Sequence, residues 1–295
     1  MKERTIYALG FFDGVHLGHQ ALLSACKELA MQENCAAGVI TFDAHPDTLV
    51  LGKTPALINT PNDRALLLKN YGMETVIALP FDKAMMEMPW QEFFRMLVKT
   101  YHAAGIVCGS DFRFGHRGAG NAQLLCAACE KENIPCTVVP EQTVDGIRVS
   151  STHIRTLLER GDTETAVKFL GHPHILTGIV ISGRKLGRTI GIPTANLAIP
   201  EGLLIPRMGV YACLAVIDGA KHIAVTNIGT RPTVEGHHIT VEPWILDFDA
   251  DLYGKPLTLE FHKFLRPERK FPDLAALQAE IRKNEEETRN FFGKK

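Results

Sequence analysis

The sequence has almost no net charge, no apolar run long enough to cross a bilayer, and no disulfide framework. Lysine and arginine number 32 against 33 aspartates and glutamates, for a formal charge of −1. That balance gives no general attraction to nucleic acid or to an anionic membrane, so neither is expected as a partner. The one early apolar stretch, Thr5 to Leu9, is too brief for a signal-peptide core and has no small-residue cleavage site after it. No membrane-spanning segment is expected either, and a cytoplasmic location follows. The seven cysteines are odd in number and scattered, which suits reduced thiols. Cys126 and Cys129 form one C-x-x-C, but it lies in a helical stretch with no second pair and reads as small core side chains. Internal repeats and low-complexity tracts are absent too.

What is present is an ordinary globular composition, 45% hydrophobic and 22% charged, over 295 residues. Two domains are the default at this length. In the first half, short apolar runs at 5–9, 36–42, 75–79, 105–108 and 137–139 alternate with helical stretches such as 20–32, 90–101 and 121–132. This alternation predicts an α/β domain, a doubly wound, Rossmann-like parallel sheet covered on both faces. In the second half, runs at 210–217, 221–226, 240–247 and 257–264 follow one another without crossover helices, and Asp218-Gly219 is a favoured hairpin turn. That predicts an antiparallel β-barrel or sandwich. A last helix over about 273–292 places Leu274, Leu277, Ile281 and Phe291 on a face expected to pack against the barrel. The boundary is placed at Gly171-His172-Pro173, giving domains 1–170 and 171–295.

Two segments of the first domain suit phosphate. Residues 10–19 run from a strand through a glycine-containing turn into a helix, whose free N–H groups and dipole favour an anion. His16 and His19 are three apart and share a face of the first turn. They can stabilise charge on a triphosphate. Gly18 between them permits close approach of a nucleotide. A metal pair lacking its third ligand, or plain surface histidines, fit the same spacing. Ser150-Ser151-Thr152-His153-Ile154-Arg155 opens another helix with hydroxyls at the cap and an arginine in its first turns. A simple helix cap would look the same. In the second domain, glycines 178, 183, 187 and 191 accompany Arg184, Lys185 and Arg188. This is no P-loop, yet such a loop can cradle phosphate. Thr194 and Asn196 offer the hard oxygens Mg²⁺ prefers. A basic hairpin with a proline turn is the plainer reading.

Taken together these motifs resemble the bacterial bifunctional riboflavin kinase/FAD synthetase family. His16-Leu17-Gly18-His19, Thr41-Phe42-Asp43-Ala44-His45-Pro46, Gly109-Ser110-Asp111-Phe112-Arg113-Phe114-Gly115 and the Ser151 to Arg155 segment match its adenylyltransferase module in order. Residues 178–196, Asn227-Ile228-Gly229-Thr230-Arg231-Pro232-Thr233, Val241-Glu242 and Phe264-Leu265-Arg266-Pro267-Glu268 match its kinase module. The resemblance implies ATP contacts at Gly10, Phe12, Asp13, Gly18, Ser151 and Thr152, with His16, His19 and Arg155 catalytic. It implies a second ATP site at Gly178, Gly183, Arg184, Lys185, Gly187 and Arg188, with Mg²⁺ at Thr194 and Asn196. It implies flavin contacts at Asp43, Asp111, Phe112 and Phe114 in one module and at Asn227, Arg231 and Arg266 in the other. Glu242 falls on the family's catalytic base, which takes the ribityl hydroxyl proton as that oxygen attacks the γ-phosphate.

The implied partners are riboflavin, FMN, FAD and ATP; self-association, if present, is expected to be weak. The sequence departs from the family pattern at Ala44, usually proline, Ile192, usually phenylalanine, Pro243-Trp244 after Glu242, and Asn284, commonly aspartate. It also begins almost on its first strand, so a sheet-edge element is expected to be missing. A kinase with a silent second site, an enzyme for another nucleotidyl acceptor, and a non-catalytic flavin-binding regulator are the rival readings. Intact His16, His19 and Arg155, the attached kinase-like barrel, and the full polar sets in both halves weigh against them in turn.

Overall fold

The computed structural model describes residues 4–183, 191–233 and 236–293, with the side chains of 231–238 outside that description. The chain divides into two compact units, one of Met1–Leu57 with Pro61–Ser151, the other of Ile58–Thr60 with Thr152–Lys295.

In the first unit the apolar runs become strands β1 (Thr5–Leu9), β2 (Ala36–Phe42), β3 (Thr75–Leu79) and β4 (Ala103–Gly109). Two short pieces follow, β5 (Arg113–Phe114) and β6 (Gly120–Asn121), then β7 (Cys136–Val139) and the small ribbon of β8 (Thr143–Val144) and β9 (Ile147–Arg148). Helices α1 (Leu17–Gln32), α2 (Asp47–Val50), α3 (Pro61–Asn70), α4 (Lys83–Glu87), α5 (Trp90–Lys99) and α6 (Ala122–Lys131) lie between the strands. The sheet is parallel in the order β3-β2-β1-β4-β7. Every residue of β1 is buried, as expected for a central parallel strand covered on both faces. Its alternate side chains feed two cores: Ile6 and Ala8 pack with Leu23 and Cys26 of α1, while Tyr7 and Leu9 pack with Phe93 and Leu97 of α5 and Leu125 of α6.

α1 begins earlier than its apolar pattern indicates, at Leu17 rather than about Gln20, because the His16 side chain caps it. Two further helices, α7 (Ser151–Arg160) and α8 (Thr163–Leu170), precede the barrel. α8 ends on Gly171, whose φ of 74° is the left-handed C-cap glycine favours.

The second unit holds a closed barrel, β10-β11-β14-β13-β12-β15, with antiparallel pairing among the described residues. Its strands are β10 (His174–Ile181), β11 (Asn196–Ala198), β12 (Gly209–Ile217), β13 (Ala220–Thr233), β14 (Gly236–Ile245) and β15 (Pro256–Pro267). Asp218 and Gly219 turn β12 into β13 with φ of 47° and 82°, the signs a two-residue primed turn requires. Tyr211, Phe261, Leu176, Leu259, Val241 and Ile228 fill the interior.

Helix α9 (Leu274–Phe291), capped by Asp273, packs outside the barrel through Ile281, with Phe292 just beyond its end, against Trp244, Val210 and Leu265. Its seam corrects the expected apolar face. Leu274 is 66% exposed, and the buried helix residues are Asn284 and Thr288. The reason is a polar clamp: Asn284 Oδ1 accepts a 3.0 Å bond from Arg266 Nε, and Thr288 donates at 2.7 Å to the Asn284 carbonyl. An amide at 284 can still accept from Arg266, so this departure from the family pattern keeps the contact.

His174 is fully buried beside Phe261, and neither ring nitrogen has a hydrogen-bond partner among the described residues. Burial, and then nearby His172, push its pKa down to about 3. The unfolded chain therefore takes up this proton first as pH falls. Stability is intact above the unfolded value of about 6.5 and is lost progressively towards pH 3, by about 2 kcal/mol at pH 5. His174→Leu should flatten that slope. The measurement is the urea midpoint of barrel peptides by hydrogen-exchange mass spectrometry at pH 7 and pH 5; an equal acid loss in the variant would contradict the assignment.

Candidate functional site

The first site is built on the carboxyl edge of the parallel sheet. Strands β2, β1 and β4 are neighbours, and residues 43–46, 10–16 and 110–114 follow their C-terminal ends. Ligands of open α/β sheets bind at that edge. Thr41 Oγ1 donates to the Phe11 carbonyl at 2.9 Å, which pins the turn after β1 to β2. Phe12 and Val15 hold φ of 62° and 39°, and both are fully buried. Packing keeps this turn in a shape its own residues resist.

The turn delivers the chain to α1. His16 Nδ1 accepts the His19 backbone N–H at 3.3 Å, so the proton of a neutral His16 ring sits on Nε2. The two imidazoles stack with centroids 3.6 Å apart and an interplanar angle of 11°. Gly18 makes room for this, since a Cβ there would lie 3.2 Å from the His16 ring. His19 Nδ1 is buried without a hydrogen-bond partner among the described residues. Burial first, then His16 and Arg64, hold His19 well below the usual histidine range, so it is neutral at pH 7.

Arg64 of α3 is the residue that sequence reasoning missed. It is buried, donates from Nη2 to the Phe42 carbonyl at 2.7 Å, and lies 4.2 Å over the Phe11 ring. Burial lowers its pKa, while Asp13 and Asp43 act the other way. A guanidinium remains charged under such opposition. It thus sets a fixed positive charge near the histidine pair. Asn62-Asp63-Arg64 in a helix carries no local signal for this, because only the fold brings it to β1 and β2. Ser151 Oγ donates to the Asp13 carbonyl at 2.8 Å and ties the start of α7 to the turn. Thr152 and Arg155 follow on α7, within the second unit.

Beside this edge lies a cavity of about 440 Å³, lined by Phe42, Pro46, Val50, Phe81, Met85, Met86, Phe93, Phe112 and Phe114, with Arg113 and Arg117. Phe112 and Phe114 stack at 5.4 Å, and Phe93 and Trp90 pack on Phe114 at 5.4 and 6.3 Å. The lining suits a flat aromatic ring system. Asp43 and Asp111 do not line it. Asp43 Oδ1 accepts the Phe81 N–H at 3.0 Å, and Asp111 pairs with Arg148, which also meets Glu141 at 3.0 Å. Both carboxylates secure the loops that carry the aromatic residues.

In the barrel, register assembles the second site. Leu197 pairs with Val241 and Val241 with Ile228, and all three point into the core. Glu242 pairs directly with Asn227, and antiparallel counting sets Asn196 on its other side. Side chains alternate along a strand, so Asn196, Glu242 and Asn227 form one row on the face away from the core. Pro243 does not break the strand. Its carbonyl accepts the Ala195 N–H at 2.9 Å, so its missing N–H would have faced the short β11, where one ladder pair exists.

Asn196 lies against Gly183, where a Cβ would come within 2.2 Å of its Nδ2. A Cβ at Gly178 would meet the Ala198 carbonyl at 2.7 Å. Glu268 approaches Gly229 as closely, with the Asn227 amide beside it. A cavity of about 390 Å³ adjoins the row, lined by Val180, Thr194, Ala195, Pro243, Phe248 and residues 249–253. Arg266 is occupied by Asn284, by Glu280 at 3.3 Å and by the Pro267 carbonyl at 3.2 Å. Arg184, Lys185, Gly187 and Arg188 lie outside the described residues, and so does the side chain of Arg231.

A family model described as FAD synthetase matches residues 1–153, and one described as riboflavin kinase matches residues 170–292. A bifunctional riboflavin kinase/FMN adenylyltransferase of Listeria monocytogenes is 35% identical over 292 residues, 98% of this chain and 93% of that protein. One of Bacillus subtilis is 34% identical, covering 99% of this chain and 93% of its own. A Streptococcus pneumoniae crystal structure, described as a macrolide-efflux protein, superposes with a TM-score of 0.89 at 31% identity, over 98% of this chain and 95% of that one. Among the described residues here, no helix is long and apolar enough to cross a membrane.

Proposed function

Since this chain belongs to the family of bifunctional riboflavin kinase/FMN adenylyltransferases, we propose a division of its two reactions between the sites described above. The protein phosphorylates riboflavin with ATP to give FMN and ADP. It then adenylylates FMN with a second ATP to give FAD and pyrophosphate. Residues 1–170 carry the adenylyl step and residues 171–295 the kinase step. The enzyme works in the cytoplasm, where it meets ATP.

The observation that carries this division is that each unit has its own convergence of charge-handling groups beside its own cavity. In the first, the flavin ring occupies the slot of Phe112 and Phe114, secured by Asp43 and Asp111. An FMN phosphate oxygen attacks the α-phosphate of ATP, and pyrophosphate departs. Charge gathers on the phosphates as this happens. His16, His19, the first turn of α1 and Arg64 meet it with donors and a positive field already in place. Gly10, Phe12, Asp13, Gly18 and Ser151 complete the nucleotide site within this unit.

In the second, Glu242 takes the proton of the ribityl hydroxyl as its oxygen attacks the γ-phosphate. Asn227 and Arg231 serve the flavin, and Arg266 does so through the segment it clamps. Gly178, Gly183, Arg184, Lys185, Gly187 and Arg188 bind the phosphates of ATP.

The donor set of the barrel fits Mg²⁺. Thr194 lines the cavity, and Asn196, next to Glu242 in the row, lies in the space left by the missing side chain of Gly183, so each offers a hard oxygen in this part of the barrel. When bound there, Mg²⁺ neutralises charge on the phosphates. Thr194→Ala should raise the Mg²⁺ concentration needed for half-maximal FMN formation about tenfold, an effect of roughly 1.4 kcal/mol. FAD formation from supplied FMN should be unaffected. An unchanged Mg²⁺ titration would remove Thr194 from the metal site. The division as a whole is tested by incubating the protein with riboflavin, ATP and Mg²⁺ and resolving FMN from FAD by chromatography. FMN should rise first and FAD follow; absence of either product refutes it.

A further inference from the structure

The C-x-x-C at Cys126 and Cys129 has a second partner set that its helix does not reveal. Cys126 and Cys129 lie on α6, Cys108 near the end of β4 and Cys136 at the start of β7, and all four are free thiols. Cys126 Sγ and Cys136 Sγ are 2.8 Å apart. Cys108 and Cys129 are fully buried behind them, while Cys126 and Cys136 are both partly open to solvent. Among the described residues no group of three or more His, Cys, Asp or Glu side chains has an arrangement that would hold a metal ion. The chemistry left to this cluster is thiol–disulfide exchange.

We propose that Cys126 and Cys136 form a redox-active dithiol that closes reversibly to a disulfide, with Cys136 as the attacking sulfur. A disulfide needs its sulfurs about 2.05 Å apart. Each sulfur has only a few tenths of an ångström to travel. Helix α6 and strand β7, which carry the two cysteines, pack directly on each other.

The surroundings divide the roles. The thiols of Cys108, Cys129 and Cys126 all face Cys136, and the first two lower its pKa most by hydrogen bonding. Burial, and then Cys136 itself, push Cys126 up to about 12. The thiolate is the nucleophile, so Cys136 attacks. The oxidant is a low-molecular-weight disulfide. The Cys136 thiolate attacks one of its sulfurs, breaks the S–S bond and releases one small thiolate. Cys126 then loses its proton and attacks Cys136 Sγ, and the second small thiolate leaves. Two protein thiols are oxidised by two electrons, and one small disulfide is reduced to two thiols. The bond closes the loop that joins α6 to β7. Neither cysteine belongs to the flavin or ATP sites.

The test uses the full-length protein with glutathione disulfide as probe, trapped by alkylation in acid and mapped by peptide mass spectrometry. The wild-type chain should yield a Cys126–Cys136 cross-link and no lasting glutathione adduct. Cys126→Ser should stop at one glutathione on Cys136. Cys136→Ser should react at the pair at least tenfold more slowly. FAD formation from supplied FMN, which belongs to the same unit as the pair, verifies that each variant is folded, and alanine versions of both variants guard against a local effect of serine. A stable adduct on the wild-type pair, a cross-link through other cysteines, or Cys136→Ser reacting at the wild-type rate would overturn the proposal.

Discussion

With His16 and His19 both replaced by alanine, riboflavin should reach FMN and stop there. Losing one preorganised donor to developing charge costs about 10²–10³ in rate. The pair acts at one helix terminus, so FAD formation should fall by at least that factor. The stacked rings also argue against treating them as independent: His16 caps α1 through Nδ1, and His19 leans on His16. A single substitution at either position should therefore cost nearly as much as both. The measurement is FAD formed per minute from supplied FMN, alongside FMN formed from riboflavin. FMN production should stay within twofold of the parent, since the kinase site lies in the other unit. A folded double variant that still makes FAD at the parental rate would remove the histidines from the mechanism.

The reciprocal experiment is Glu242→Gln. Glutamine keeps the length and shape of glutamate but cannot take the proton, so riboflavin phosphorylation should fall by about 10²–10⁴. Conversion of added FMN to FAD should proceed unchanged. The register gives this variant a sharp interpretation. Val241 points into the barrel and Glu242 away from it, between Asn196 and Asn227, so an amide at 242 disturbs no core contact. Loss of both activities in a folded Glu242→Gln chain would show that the two reactions share a residue, contrary to the assignment.

The parallel sheet was readable in the sequence because β1 and β2 are largely apolar runs bounded by polar turns, and burial on both faces demands that pattern. The barrel hairpin was readable from Asp218-Gly219, whose positive φ values few other pairs supply. Other features leave no local trace. β11 is three residues long and exists because β10 and β14 flank it. Arg64 looks like a solvated helix residue until α3 carries it to the Phe42 carbonyl. The row of Asn196, Glu242 and Asn227 is a product of strand register, which links residues far apart in the chain. The aromatic cavity likewise draws on β2, α2, α4 and α5 as well as the Phe112–Phe114 segment, and of its aromatics Phe42, Phe112 and Phe114 stood within motifs while Phe81 and Phe93 did not. The polar seam of α9 escaped because periodicity counts apolar residues, and its buried contacts run through an amide and a hydroxyl.

The sequence contains two tryptophans, and the fold gives one to each reaction. Trp90 touches Phe114 in the wall of the aromatic cavity, while Trp244 follows Glu242 by two positions on β14 and packs under α9. Indole emission overlaps flavin absorption, so a flavin seated in either cavity quenches the tryptophan nearest to it. The chain thus carries its own pair of optical probes. In a Trp90→Phe chain the remaining fluorescence follows occupancy of the barrel, and in a Trp244→Phe chain it follows the sheet. Stopped-flow traces of the two would time the passage of one flavin molecule from the first reaction to the second.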